Sequence, residues 1–211
     1  MSKILYITAN PKSEDKSFSL TVARNFIEEY KRVNPQDEVK EIEVYDIELP
    51  LIDRNMLEAW DELSQGKEFS KLTQDKQKQL ARFAELTDEF VSADKYVFVT
   101  PLWNFAVPAM MKAYIDTTCV AGKTFKYTEQ GAIGLLKNKK ALHIQASGSV
   151  FSKGDLSKVE HGDKYIRDIM SFIGVTDFEA VFVEGVAYDP TLSQEIKEKA
   201  IEQALNVARR F

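Results

Sequence analysis

Three short stretches of this 211-residue chain carry side chains whose types and spacing could do chemistry. The first is Ser17-Phe18-Ser19, which follows the polar run from Ala9 to Lys16. Free main-chain N–H groups at a helix start bind anions, and serine hydroxyls add donors, so a single phosphate monoester held by Ser17, the Phe18 amide and Ser19 suits this stretch. It lacks the glycines of a G-x-G-x-x-G turn, which disfavours a dinucleotide pyrophosphate. Ser17 also reads simply as a helix N-cap. The second stretch is Pro101-Leu102-Trp103-Asn104-Phe105. Its two rings and one amide suit a flat aromatic ligand with polar edges, and they serve equally well as a cap on the core. The third, Ala146-Ser147-Gly148-Ser149, has a glycine that lets backbone approach a ligand and hydroxyls that could hydrogen-bond a ring edge, or it is an ordinary turn. Phe125 and Tyr127, two residues apart, could project together from an extended segment over a crevice or pack at a dimer contact.

Other chemistries fit less well. Gly122-Lys123-Thr124 looks like the tail of a P-loop, but the first glycine of that motif would fall at Thr117, and the run follows a helix rather than the first strand. His143 lies among apolar neighbours and reads as a hydrogen-bonded core histidine; His161 reads as a capping or surface residue. No His/Asp/Glu cluster has metal-ligand spacing. There is no G-x-S-x-G elbow, and Cys119 has no evident basic partner, so covalent hydrolysis lacks its machinery.

These stretches need elements to position them. Lys3–Thr8 reads as a first strand, and a helix capped by Ser17 carries Val22, Phe26, Tyr30 and Val33 on one stripe. Val39–Tyr45 reads as a second strand near a sheet edge. Asp53 is placed to cap a short helix with Met56, Leu57, Trp60 and Leu63, and a second helix carries Leu80, Phe83, Thr87 and Phe90. Two helices exceed what a crossover needs, so the extra one is an interface or a wall over the site. Val97–Thr100 is a strand buried on both faces that stops at Pro101; Pro108 reads as the first-turn proline of a helix reaching about Thr118. Val120–Lys139 is too apolar for disorder and too interrupted for one element. Lys140–Gln145 is a fourth strand, Ala146–Glu160 a long loop, and a helix runs from about His161 to a stop at Gly174. Glu179–Val183 is a fifth strand, and Asp189-Pro190 opens a terminal helix. The rhythm predicts an α/β fold, a doubly wound five-stranded parallel sheet of order 2-1-3-4-5, with its switch point between strands one and three. The loops after Thr8 and Thr100 then face each other across one crevice.

Composition sets the frame. The length predicts one domain, residues 1–211, able to bury roughly 70% of its unfolded surface. The net charge of −5, with no basic stripe, gives no reason to expect nucleic acid. No window approaches the roughly 20 apolar residues of a membrane span, and Ile4–Ile7 is too short for the core of a signal peptide. One cysteine excludes an intrachain disulfide, which points to a reducing, cytoplasmic setting.

In this order and spacing the pieces resemble the FMN-dependent NADH:azoreductases and the related NAD(P)H:quinone oxidoreductases of the flavodoxin-like fold. The resemblance runs nearly end to end. It rests on Ser17-Phe18-Ser19, Pro101–Phe105, Gly122–Glu129, Phe172–Asp177 and Glu184–Tyr188. It implies that Ser17, Phe18 and Ser19 hold the FMN phosphate, that Pro101 through Phe105 line the isoalloxazine, and that Ala146, Ser147, Gly148 and Ser149 border its pyrimidine end. Where the family has Arg-Gly-Gly or a similar run, this chain has Ser147-Gly148-Ser149. The resemblance further implies a homodimer whose subunits shape each other's substrate pocket, with Phe125 and Tyr127 as pocket residues. The expected activity is two-electron transfer from NADH through FMN to quinones and azo compounds by a ping-pong mechanism, with the cofactor carrying the chemistry and no catalytic side chain required. A flavodoxin-like electron carrier is the alternative; the extra helix, the Val120–Lys139 excursion and the long loop after strand four favour an enclosed pocket and hence an enzyme.

Overall fold

The computed structural model describes residues 1–188 and 190–211. In chain order its elements are β1 (Lys3–Thr8), α1 (Phe18–Val33), β2 (Glu38–Glu43), α2 (Arg54–Ser64), α3 (Gln74–Ser92), β3 (Lys95–Pro101), α4 (Ala109–Asp116), β4 (Phe125–Thr128), β5 (Gly131–Gly134), β6 (Lys140–Ser147), α5 (Asp163–Ile173), β7 (Asp177–Glu184) and α6 (Ser193–Ala208). Five strands form one parallel sheet in the order β2-β1-β3-β6-β7. Numbered within that sheet alone, this is the expected 2-1-3-4-5.

Side chains alternate across each strand, so the sheet divides the core in two. Ile4, Tyr6, Val97, Val99, Leu142 and Ile144 face α1 and α6, where Phe26 and Tyr30 meet the carboxyl-terminal Phe211. Leu5, Ile7, Tyr96 and Phe98 face the opposite way, against Phe90 of α3, Met111 and Tyr114 of α4, and Ile166 and Met170 of α5. Covered on both sides, β1 and β3 are almost wholly apolar, whereas β2, at the edge, buries only Ile42. The helix starts are capped where the sequence predicts: Ser17 Oγ accepts from Leu20 N at 3.3 Å, and Asp53 Oδ1 accepts from Met56 N at 2.9 Å.

Several boundaries differ from expectation. Pro108 is the N-cap of α4, not a residue of its first turn, and α4 ends at Asp116. Ala146 and Ser147 belong to β6, because pairing with β7 continues to Ser147↔Glu184. The terminal helix proper begins at Ser193 after a single turn at Pro190–Leu192; Asp189 lies outside the described residues. The unassigned stretch 120–139 contains an antiparallel hairpin, β4–β5, outside the main sheet. Its four-residue strands are too short for alternation to stand out in the sequence. The extra helix α2 packs on α3 through Met56, Ala59, Leu80 and Phe83, with Trp60 edge-on to Phe83 at 5.5 Å. Together with the α4–β4 loop this pair borders an apolar groove of about 710 Å³ lined by Ile52, Trp60, Phe69 and Cys119, separate from the crevice between β1 and β3.

The hairpin is fastened to the body at one point of close backbone approach. Leu136 N donates to Ile173 O at 2.9 Å, and a Cβ built on Gly134 would collide with the backbone of Ile173 and Gly174 at the end of α5. Gly134→Ala is therefore expected to destabilise the fold by about 2–3 kcal/mol, since overpacking against backbone cannot be relieved by a rotamer change. Thermal unfolding followed by circular dichroism should show Tm lowered by roughly 5–10 °C.

Candidate functional site

The chain leaves β1 and β3 toward opposite faces of the sheet, and this opens a crevice at their carboxyl ends. Ala9 N donates to Val99 O at 3.0 Å and Leu102 N to Ala146 O at 2.8 Å, so the loops after β1, β3 and β6 begin from fixed positions. Between them lies a cavity of about 240 Å³. One wall is the start of α1, with Ser17, Phe18 and Ser19; a second is Pro101, Leu102 and Trp103; a third is Ala146, Ser147 and Gly148. The three predicted stretches thus meet around one space.

Its floor is hydroxyl-rich and ordered. Ser17 and Ser19 are buried, their Oγ atoms 3.2 Å apart, and Asn10 Nδ2 donates to Ser17 Oγ at 2.8 Å. Ser17 therefore caps α1 and lines the cavity at once. The N–H groups of Phe18 and Ser19 precede the first carbonyl-bonded turn of α1, whose first main-chain bond runs from Thr21 N to Ser17 O. They have no partner within the helix. Lys12 and Lys16 also line the cavity and form no ion pair among the described residues. Of the two carboxylates between them in sequence, Glu14 is turned onto Arg24 at 2.6 Å, and Asp15 is exposed and forms no ion pair among the described residues. The result is a small, donor-lined space with two free cations at a helix start, which is the environment an anion requires.

Trp103 separates this space from a second cavity of about 630 Å³, lined by Asn104, Pro108, Lys112, His161 and Tyr165. The partition is a tight turn. Trp103 and Ala106 exchange both main-chain hydrogen bonds, at 2.9 and 3.0 Å, and Asn104 and Phe105 both have positive φ, 48° and 69°. That is the backbone of a two-residue hairpin turn, for which Asn-Gly is the usual sequence. Asn104 tolerates it; a bulky Phe105 at φ 69° is strained by about 1–3 kcal/mol. The turn is held by His161 N, which donates to Phe105 O at 2.8 Å. The Phe105 ring is half exposed and edge-on to Phe151 at 5.9 Å.

Not every expected residue lines the first cavity. Asn104 lines the second, and Phe105 and Ser149 line neither, the Ser149 carbonyl accepting from Ser147 Oγ at 2.7 Å. Phe125 and Tyr127 are outside both cavities of the single chain: Phe125 is buried against Phe172, and Tyr127 is 76% exposed. Asn10, Lys12, Lys16 and Val186 line the first cavity without having been singled out from sequence. Two lysines in a polar loop leading into a helix start were the available signal for the cations. Val186 arrives from the loop after β7, within the stretch Glu184–Tyr188 that carries part of the resemblance. Among the described residues no group of three or more His, Cys, Asp or Glu could hold a metal ion, and no helix is long and apolar enough to cross a membrane.

A family model described as flavodoxin-like fold matches residues 2–208. The chain belongs to this flavodoxin-like family. Among its relatives in the family, a protein of Halalkalibacterium halodurans named FMN-dependent NADH:quinone oxidoreductase 3 is 51% identical over 211 residues, all of both chains. A Bacillus subtilis protein named FMN-dependent NADH:quinone oxidoreductase 2 is 48% identical over the same full span. Among solved structures, an FMN-dependent NADH-azoreductase from Bacillus anthracis in complex with FMN superposes with a TM-score of 0.93 at 38% identity, covering 100% of this chain and 99% of that one. A second azoreductase from Bacillus anthracis gives 0.92 at 36% identity with full coverage of both chains. The flavodoxin-like sheet order explains why the cavity sits where it does, at the β1/β3 switch point.

Because Ser17 serves both as cap and as lining, its loss has a fold consequence that needs no ligand. Ser17→Ala removes the acceptor of Leu20 N and of Asn10 Nδ2, and should destabilise the protein by about 1 kcal/mol. Thermal melts are expected to shift down by roughly 2–4 °C.

Proposed function

We propose that this protein is an FMN-dependent NADH:quinone oxidoreductase that also cleaves azo compounds reductively. The observation that carries the reading is the convergence of Ser17–Ser19, Pro101–Trp103 and Ala146–Gly148 on one donor-lined cavity at the switch point. Full-length relatives at about half identity bear the quinone oxidoreductase name, and azoreductase structures share the whole fold.

The residues suit FMN. Two serine hydroxyls, the unbonded amides at the start of α1 and the paired positions of Lys12 and Lys16 match a phosphate monoester. Gly148 lines the cavity with bare backbone, and a Cβ there would press on Ala187 at 3.2 Å. In this reading Ser17, Phe18 and Ser19 hold the phosphate with Lys12 and Lys16 neutralising it. Leu102, Trp103, Asn104 and Phe105 flank the isoalloxazine, and Ala146, Ser147, Gly148 and Ser149 border its pyrimidine end. Bound FMN would supply two-electron redox chemistry between NADH and the acceptor. The chain's own contribution is orientation. The locked turn at Trp103–Ala106 fixes aromatic surface beside the slot, and the bond from Leu102 N to Ala146 O ties the exits of β3 and β6 together. Donor and acceptor share one slot, so the expected kinetics are ping-pong.

The protein acts as a cytoplasmic homodimer in this reading, one domain per subunit over residues 1–211. Tyr127, Ile133 and Phe172 are exposed apolar groups on and beside the β4–β5 hairpin, and a subunit contact there would bring Phe125 and Tyr127 toward a partner's substrate pocket. The lone, half-buried Cys119, whose thiol is pushed up by burial, fits a reducing compartment.

The purified protein should be yellow and should oxidise NADH with menadione or an azo dye as acceptor, giving parallel double-reciprocal plots. A colourless protein that stays inactive after FMN is added would overturn the reading, and flavin reduction only by an added reductase would mark an electron carrier instead. Replacing both Lys12 and Lys16 by alanine should weaken FMN binding about 10- to 100-fold, measured by fluorescence quenching, while leaving the affinity for riboflavin, which lacks the phosphate, unchanged.

A further inference from the structure

One face of the sheet changes character just beneath the site. On β3 the side chains facing α4 and α5 run Tyr96, Phe98, Thr100; on β6 they run Ala141, His143, Gln145. The inner layers are apolar and the last are polar, and Thr100, His143 and Gln145 are all essentially inaccessible to solvent. Over them lies the start of α5 with two more buried polar groups, Glu160 and Asp163.

These groups form two hydrogen-bonded chains. In the first, Asp163 Oδ1 lies 3.1 Å from His143 Nδ1, and His143 Nε2 lies 2.9 Å from Thr100 Oγ1. With Asp163 accepting the Nδ1–H, Nε2 is placed to accept from the threonine hydroxyl. The other oxygen of Asp163 accepts from Arg167 at 3.0 Å. Burial opposes the charge on Asp163, but His143 and Arg167 together hold its carboxyl below the usual range. In the second chain, Gln145 Nε2 donates to Glu160 Oε1 at 3.2 Å. That oxygen also accepts from the amides of Gly162 and Asp163, both at 2.8 Å. Glu160 thereby fixes the residues around His161, whose amide holds the Phe105 carbonyl.

Both chains end on the same segment. Thr100 directly precedes Pro101 and Leu102, and His161 grips the strained turn at Phe105. We propose that the buried Thr100–His143–Asp163 chain, with Gln145 and Glu160 beside it, positions the Pro101–Phe105 loop for electron transfer, making Thr100 and His143 positioning residues. An apolar filling of the same volume would serve stability as well or better, since buried polar networks are weak stabilisers. What it would not supply is directional tethering of a loop whose backbone resists its own conformation. This inference rests on the FMN-oxidoreductase reading for its catalytic consequence, but not for its structural one.

Thr100→Val keeps the volume and removes the hydrogen bond; Thr100→Ser restores the hydroxyl. In the ligand-free protein, amide exchange followed by NMR should accelerate about tenfold at Leu102 and His161 relative to the amides of α6 in the valine variant, and return toward wild type with serine. In the FMN-loaded protein, the valine variant should keep its flavin affinity within about threefold yet reduce flavin about tenfold more slowly in stopped-flow mixing with NADH. Should the valine variant fail to fold, Asp163→Asn keeps an acceptor for Nδ1 but removes its charge, and is expected to accelerate the same two amides about threefold. Wild-type exchange at Leu102 and His161, a serine variant as impaired as valine, or a slowing explained by lost flavin would each overturn the inference. A wild-type protein that binds no FMN would overturn the functional reading instead, and the exchange measurements on the free chain would still decide the positioning role.

Discussion

Parallel pairing of β1 with neighbours on both sides is the constraint on which the rest of the structure depends. A parallel strand cannot return by a tight hairpin, so each connection must cross a face of the sheet. With β2 on one side of β1 and β3 on the other, right-handed crossovers send the chain to opposite faces. The carboxyl ends of β1 and β3 are left without a helix packed between them. That gap is the cavity. Its walls are whatever follows those strands, which is why residues as distant in sequence as Ser17, Trp103 and Gly148 meet there. The apolar character of β1 and β3 follows from the same topology, because both are covered on two sides.

Around the cavity, groups that stabilise the fold and groups that line the space are often the same groups. Ser17 satisfies an orphan amide of α1 and presents its hydroxyl to the cavity. Asn10 orders Ser17 while lining the same space. Choosing between a structural and a functional role for such a residue poses a false alternative: a preorganised donor is useful to a ligand because the fold already holds it in place. The turn at Asn104-Phe105 is different. Its positive φ values weaken the fold locally, and the half-exposed Phe105 ring recovers little by packing inside one chain. Strain of this kind persists where the surroundings over-determine it, here through the paired Trp103–Ala106 bonds and the His161 amide.

Sequence pattern made the fold legible to the extent that local signals and tertiary demands agreed. The buried strand ending at Pro101, the Ser17 and Asp53 caps and the Gly174 stop are all local events with local chemistry. The three stretches that meet at the cavity were legible because each lies on the way out of a parallel strand, at its end or on the loop that leads to the next helix. The β4–β5 hairpin was not, since its register is set by backbone contact with the end of α5 at Gly134, a long-range fact. Nor was the turn at Trp103–Ala106, because Phe105 occupies the position where glycine would have announced it. His143 was read correctly as a hydrogen-bonded core residue, but its partners could not be named: Thr100 lies 43 residues away and Asp163 lies 20. Lys12 and Lys16 were visible as charges yet silent as site residues, since only the folded loop shows Glu14 drawn away from them onto Arg24.

That silence reflects how charge is arranged in this protein. Many charged groups near the surface are paired, such as Lys112 with Asp116 and Lys199 with Glu195, and such exposed pairs contribute little to stability. A cation left without a partner at the start of a helix adds to the positive end of the backbone dipole instead of cancelling a carboxylate. Lys12 and Lys16 therefore make the local potential more positive at slight expense to the fold, in a chain whose net charge is −5. An acidic protein can thus present a cationic site without any basic patch detectable in composition. What distinguishes Lys12 and Lys16 is their place on the lining of a cavity with a preorganised set of amides and hydroxyls, while the neighbouring Glu14 is held on Arg24.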